Sequence, residues 1–218
     1  MPNRLAQYRS SLILLFIGLG MQILTYKIAP DSPWSLISGM FGVCSIVLGT
    51  QGNILSFVFG FAQVATYAYL CCIEHFYAEI AINLYYFATM LYGVYCWHRR
   101  LQPNQSMTIS TRSLSWKMLP LWVFVIVILS FAIGWLLAHY TNDSQPYMDA
   151  FTTVPSIAAQ LLMVLAYREQ WILWLGGDIL SAVMWWRADN YCMVVQYLFW
   201  SLLCVYGYYK WTKLKNQS

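Results

Sequence analysis

Eight apolar runs, each close to the length needed to cross a bilayer, take up most of this chain. They are Ser10 to Ile28, Trp34 to Thr50, Asn53 to Ile73, Tyr77 to Trp97, Lys117 to His139, Asp149 to Tyr167, Gln170 to Trp186 and Tyr191 to Trp211, with short polar or charged stretches between them. A spanning helix needs about 20 mostly apolar residues, so every run qualifies by length. With 60% hydrophobic and 9% charged residues in 218 positions, a soluble domain could not hide its apolar surface. A membrane β-barrel would show strands of about ten residues with alternating polarity, whereas these runs are apolar all round. The expectation is an all-α integral membrane protein with eight transmembrane helices.

Charge sets the orientation. Basic residues gather in the N-terminal tail (Arg4, Arg9), in the linker "HRRLQPNQSMTISTRSLSWK" and in the C-terminal "KWTKLKNQS", while "HYTNDSQPYMD" has no Lys or Arg. Eight spans put the three basic segments on one side, which the positive-inside rule makes cytoplasmic, and leave the uncharged-to-acidic loop outside. The first run exceeds the usual 7–15-residue apolar region of a signal peptide and lacks an A-x-A cleavage site, so it reads as a retained helix. The net charge of +4 is thereby a matter of topology, and the basic residues form tails and a loop without the patterned patch a nucleic-acid partner needs. Six cysteines, Cys44, Cys71, Cys72, Cys96, Cys192 and Cys204, lie in the apolar runs with no C-x-x-C and no metal-type spacing, and read as reduced, buried small hydrophobes. No cofactor is called for.

An internal repeat organises the runs. "YGVYCW" (Tyr92 to Trp97) closes one three-helix block and "YGYYKW" (Tyr206 to Trp211) closes another, 114 positions on, and Tyr77 and Tyr191 open the two closing helices at that same offset. The middle runs pair Ile54-Leu55 with Ile172-Leu173 at an offset of 118. The run from Lys117 to His139 lies between the blocks and lets the second start on the same side as the first, which makes the repeats parallel. The chain then divides into an extra N-terminal helix (1–33), a first repeat (34–97), a linker and connecting helix (98–148) and a second repeat with a basic tail (149–218). Parallel repeats place a substrate site near the midplane where the halves meet.

One acid stands out within that scheme. Asp178 interrupts "WILWLGGD", and a carboxylate near a bilayer centre costs about 2.5–3.5 kcal/mol on insertion scales, so it is by default a functional candidate. Trp174, Asp178, Ser181 and Trp185 fall at i, i+4, i+7 and i+11, one helical face, with Ser56, Gly60, Gln63 and Tyr67 as counterparts at the offset of 118. The closing helices place Glu79, Asn83, Tyr86 and Met90 on one face and Met193, Gln196, Tyr197, Trp200 and Cys204 on the matching one. Faces that mix amides, acids and aromatic rings should look inward, away from lipid. Gln160 and Ser156 can add to them. For Gln63, Ser181, Ser156 and Gln160, interhelical hydrogen bonding is an equal reading, and Glu79, near the outer end of its helix, can simply reach the headgroups. Trp34, Trp97, Trp186 and Trp211 read as interfacial anchors, whereas Trp174, Tyr86 and Trp200 lie too deep for that role.

The pattern W-x-x-W-x-x-x-D (Trp171, Trp174, Asp178), "YAEIAINLYY" followed by "LYGVYCW", and the 3+1+3 arrangement with an extra N-terminal helix together resemble the PnuC family, from about Trp34 to Trp211. Asn53 stands where an Arg-x-Asn stretch is commoner there, and Asn83 and Glu79 replace more usual Gln and Asp. The resemblance implies import of nicotinamide riboside, a vitamin B3 nucleoside, on a fold related to the SWEET sugar transporters. It also implies a bacterial inner-membrane location. That substrate carries a pyridinium charge, a carboxamide and a ribose. Aromatic faces attract such a cation by about 0.5–2 kcal/mol. Asn83 and Gln196 can pair with the carboxamide or hydroxyls, and Asp178 can accept from the ribose or act as counter-ion. The substrate-binding candidates are therefore Trp174, Asp178, Asn83, Tyr86, Gln196 and Trp200, with Tyr197, Glu79, Gln63 and Gln160 beside them.

The chain lacks a P-loop, and its few dispersed membrane acids offer no evident ion-coupling cage. Facilitated diffusion is expected, with the riboside trapped by a separate cytoplasmic riboside kinase. A homo-oligomer is left open. Alternatives are a transporter of another nucleoside or small vitamin, a channel or structural membrane subunit, and an intramembrane lipid-modifying enzyme. The last lacks H-E-x-x-H and G-x-S-x-G, and His75, His98 and His139 lie at the ends of runs.

Overall fold

The computed structural model describes residues 4–30, 32–73, 77–101, 107–141, 145–187 and 189–216; within them, the side chains of 4–8 and 77–79 are outside the description. The described chain forms eight helices: α1 (Arg4–Ile28), α2 (Pro33–Thr50), α3 (Ser56–Ile73), α4 (Tyr77–His98), α5 (Leu119–Tyr140), α6 (Pro146–Val164), α7 (Gln170–Arg187) and α8 (Tyr191–Lys215). Helix starts follow local chemistry. Ser32 Oγ accepts from the Trp34 N–H at 3.2 Å ahead of Pro33, and Asn190 Oδ1 accepts from the Met193 N–H at 3.2 Å, each satisfying one amide that the helix leaves open.

By length and composition, five of the helices are apolar enough to cross a membrane: α1 (from Arg9), α2, α3, α5 and α8. The other three, α4, α6 and α7, carry charged or amide side chains: Glu79 and Asn83 on α4, Asp149 and Gln160 on α6, Gln170, Asp178 and Arg187 on α7.

The helices gather into two compact units, residues 1–110 and 111–218. In the first, α1 packs on α2, α2 on α3 and α3 on α4; in the second, α5 packs on α6, α6 on α7 and α7 on α8. Each unit contains the same buried turn. After α2, the Asn53 N–H reaches back to the Leu48 carbonyl (3.1 Å) and the Gly52 N–H to Gly49 (2.9 Å), with Gly52 at φ 64°. After α6, Tyr167 reaches Leu162 (2.8 Å) and Ala166 reaches Met163 (2.9 Å), with Ala166 at φ 63°. Both are Schellman C-caps, which satisfy terminal carbonyls through one left-handed residue.

The linker covers each turn. Ile54 N–H donates to Met107 and Ile109 N–H to Gly52 in the first unit; Arg168 N–H donates to Arg112 and Arg112 N–H to Ala166 in the second. Ile109 and Ala166 are fully buried there. That cover explains why the apolar runs extend past the helices: α3 starts at Ser56 rather than Asn53, and α6 ends at Val164 rather than Tyr167.

Ring packing follows the turns and corrects two expectations. Phe57 meets Trp97 edge-on at 4.8 Å, and Trp171 meets Trp211 edge-on at 5.8 Å. Trp97 and Trp211 are fully buried, so they are core residues that close one end of each unit and not interfacial anchors. Trp34 and Trp186 are exposed at helix ends, as anchors are. The Trp171 ring lies so close over α8 that a Cβ on Gly207 would come within 2.6 Å of it, and only glycine fits.

These turns and ring pairs recur at 114 positions, in the middle helices as well as the closing ones. The offset of 118 between Ile54-Leu55 and Ile172-Leu173 is thereby overturned. The counterparts of Trp174, Asp178, Ser181 and Trp185 become Gly60, Val64, Tyr67 and Cys71. A slip of four is close to one helical turn, so the faces stay as assigned and only the depth shifts, by about 6 Å.

Candidate functional site

Asp178 is the ninth of the eighteen residues of α7, about 12 Å along the axis from its first. The helix is two-sided. Ile172, Ile179, Val183 and Trp186 are exposed, a lipid-type stripe, while Trp174, Asp178, Ser181 and Trp185 are half-buried on another face and Trp171, Gly177 and Ala182 are buried. The i, i+4 spacing sets the Trp174 ring and the Asp178 carboxylate side by side, Cβ atoms about 5–6 Å apart.

Cys204 on α8 donates its thiol hydrogen to Asp178 Oδ2 over 3.3 Å. Among the described residues this is the carboxylate's one hydrogen-bond donor, and no cation pairs with it. An ionised carboxylate accepts at about four lone-pair sites, so most of its capacity stays open. The antiparallel register that joins Trp171 to Trp211 and Asp178 to Cys204 continues along the pair, setting Ser181 level with Ser201 and Trp185 level with Tyr197. Gln196, Tyr197 and Trp200 are half-buried, and the exposed stripe of α8 is Val195, Leu198, Leu202, Val205 and Tyr209. The expected inward set on α8 is thus brought to the same side as Cys204.

On α6, Gln160 is buried. Ser156 Oγ donates to its own helix at the Thr152 carbonyl (2.7 Å) and lies 3.8 Å from where a Gly177 Cβ would be, so it serves the packing of α6 on α7.

In the first unit, Gln63 lies over Gly42, its carboxamide 3.2 Å from a Cβ placed there, and its backbone carbonyl accepts from Ser38 Oγ of α2 (3.3 Å) and from Thr66 Oγ1 of its own helix (2.9 Å). Those contacts belong to helix packing. Asn83 is buried on α4, Tyr86 is half-buried with its ring tilted against Tyr85 at 5.6 Å, and Met90 is buried over Gly60. Leu84, Leu91, Tyr92 and Tyr95 form the exposed face of the same helix. The side chain of Glu79 lies outside the described residues.

Two polar contacts had no local signal. The Cys204 thiol was expected to pack as a small hydrophobe, and its place i+4 from Trp200 and i+7 from Tyr197 was the one hint of another role. All six cysteines are free, but Cys72 is exposed and Cys44, Cys96 and Cys192 only half-buried, since runs that cross lipid expose part of their surface. Glu169, buried in the α6–α7 turn, accepts from Ser113 Oγ (2.9 Å), the Leu114 N–H (3.0 Å) and Arg168 Nε (3.1 Å), and so fastens the linker. A groove lined by Trp116, Leu119, Pro120, Val123, Phe124 and Val127 runs along α5 and is almost wholly apolar, with none of the convergent polar groups that orient a nucleoside.

The sequence pattern of the family described as "Nicotinamide mononucleotide transporter" matches residues 32–213. The chain is 34% identical over 203 residues to the nicotinamide riboside transporter PnuC of Haemophilus influenzae, covering 90% of this chain and 87% of that one. It is 31% identical over 213 residues to the PnuC of Neisseria mucosa, covering 92% and 80%. A solved structure, the crystal structure of the vitamin B3 transporter PnuC, superposes with a TM-score of 0.78 at 28% identity, covering 95% of this chain and 92% of that one.

Proposed function

The chain belongs to the nicotinamide mononucleotide transporter family, and from that premise we propose that it carries nicotinamide riboside across the bacterial inner membrane by facilitated diffusion. The observation that carries this reading is Asp178: a carboxylate midway along a helix, beside an aromatic ring, with a single thiol donor. Packing alone is a poor reason to keep so expensive a group in a membrane. A hydroxylated, cationic nucleoside supplies what it lacks. In the second unit Trp174, Asp178, Gln196, Tyr197 and Trp200 are the proposed ligand groups, with Gln160 behind them. In the first unit Asn83 and Tyr86 are proposed by the same reasoning and Glu79 by its place on the α4 face, while Gln63 is the weakest candidate because its contacts go to α2.

The helices are read as eight spans, with repeats α2–α4 and α6–α8 and with α1 and α5 outside them. The recurring turns and ring pairs support this. They also place the linker beside the C-terminal end of α8, where Thr111 Oγ1 donates to the Trp211 carbonyl (2.6 Å). Linker and C-terminal tail are both basic, so both termini are proposed to be cytoplasmic. A cysteine added after Lys215 should resist membrane-impermeant thiol reagents in intact cells and react once the membrane is opened; labelling in intact cells would refute the eight-span count.

Transport is tested in proteoliposomes. Saturable nicotinamide riboside uptake should equilibrate without accumulating, and a sodium or proton gradient should leave the end point unchanged. Accumulation driven by either gradient would overturn facilitated diffusion, and absence of uptake would overturn the substrate. Net import in the cell then depends on a cytoplasmic kinase that phosphorylates the riboside. The relatives carry transporter names, which favours this reading over lipid-modifying chemistry.

A further inference from the structure

We propose that Cys204 is a positioning residue for substrate: its thiol fixes the carboxylate of Asp178 through Oδ2 and thereby presents Oδ1 to the bound nucleoside. The proposal rests on the transport reading above and assigns a role to a side chain that reading leaves unused. Rotation about the last bond of an aspartate side chain is soft and roughly two-fold, so an unanchored carboxylate would present either oxygen over a wide arc. Cys204 removes that freedom. The residue is 1% exposed, its Sγ is 3.3 Å from Oδ2, and it stands one and two turns along α8 from Trp200 and Tyr197. Backbone and anchor come from two packed helices, so the carboxylate is held from two sides.

The weakness of the donor matters as much as its place. A Lys or Arg here would neutralise Asp178 and occupy several lone pairs, whereas a thiol gives one weak hydrogen bond and leaves the charge available. The first unit has Val64 and Met90 at the corresponding positions, both buried and neither able to form such a pair. The device is therefore confined to the unit that holds the acid.

Calorimetric binding of nicotinamide riboside to five purified proteins tests this: the unaltered chain, Cys204→Ser, which keeps a donor, Cys204→Val, which fills the space without one, Asp178→Asn, and Cys204→Val combined with Asp178→Asn. Cys204→Val should weaken binding about tenfold, the low end for a hydrogen bond to a charged group, while Cys204→Ser keeps most of the affinity. The double variant should bind no more weakly than Asp178→Asn alone, because a residue that acts through another has no effect once that other is lost. Equal loss in Cys204→Ser and Cys204→Val, or a loss that persists in full in the Asp178→Asn background, would make Cys204 a packing residue and overturn the proposal. Should Cys204→Val not fold, Cys204→Ala replaces it, and the Asp178→Asn background again separates lost packing from a lost donor. Failure of the unaltered protein to bind the riboside would overturn the transport reading and this role together; binding that none of the Cys204 variants changes overturns this role alone.

Discussion

Asp178→Asn weakens nicotinamide riboside and an uncharged nucleoside analogue alike, by about 1.5–3 kcal/mol, or about 10- to 150-fold in dissociation constant. The reasoning starts from geometry. Trp174 and Asp178 project side by side from one face of α7, so a pyridinium stacked on the indole leaves the carboxylate beside the sugar. A carboxylate that accepts from ribose hydroxyls distinguishes ligands by their sugar, and an asparagine keeps the shape while replacing one accepting oxygen with a donor. The counter-ion alternative has a different signature, since loss of charge would weaken the charged riboside far more than the neutral analogue. Calorimetry with both ligands decides between them. Binding of both unchanged in a folded Asp178→Asn protein would return Asp178 to helix packing.

The helices were legible because the bilayer leaves one solution for an apolar run: backbone groups must be satisfied within the segment. Their ends were harder to read. Asn53 to Leu55 and Leu165 to Tyr167 read as part of the apolar runs, yet each belongs to a capped turn beneath the linker, with bonds that run to Met107 or Arg112, far away in sequence. Tertiary cover likewise hid Trp97 and Trp211. At the end of an apolar run a tryptophan suits an interface as well as a core, and only the rings of Phe57 and Trp171 against them decide the matter.

The site was legible in part, for a reason specific to helices. Periodicity finds a face but not a depth, so an offset wrong by four residues kept Asp178, Trp174 and Ser181 together while giving each the wrong counterpart. The register became visible through two Schellman turns whose hydrogen bonds match at 114. Contacts between segments far apart in sequence, such as Cys204 with Asp178 across two helices and Glu169 with Ser113 between a turn and the linker, depend on which surfaces meet and left no mark on local sequence.

Nicotinamide mononucleotide binds at least about 1,000-fold more weakly than the riboside, because a buried ion without a partner costs several kcal/mol. The family's description names the mononucleotide while the two bacterial relatives are named for the riboside, so the measurement bears on which ligand suits this chain. Its cations argue for the riboside. Arg187, the last residue of α7, is about 13.5 Å of helix rise from Asp178, Arg168 precedes the first residue of that helix, itself about 12 Å from Asp178, and Lys27 lies in the last turn of α1. Arg168 is also engaged already, with Glu169 at 3.1 Å, Thr212 at 3.3 Å and the Tyr208 ring 5.3 Å from its guanidinium. A phosphate on a ribose held by Asp178 would meet a like charge, with the arginine of α7 more than two helical turns away. Competition of the mononucleotide against bound riboside measures the ratio directly. Comparable affinity for the two would mean that the ligand sits near Arg187 or Lys27, and the assignment of Asp178 to the sugar would fall with it.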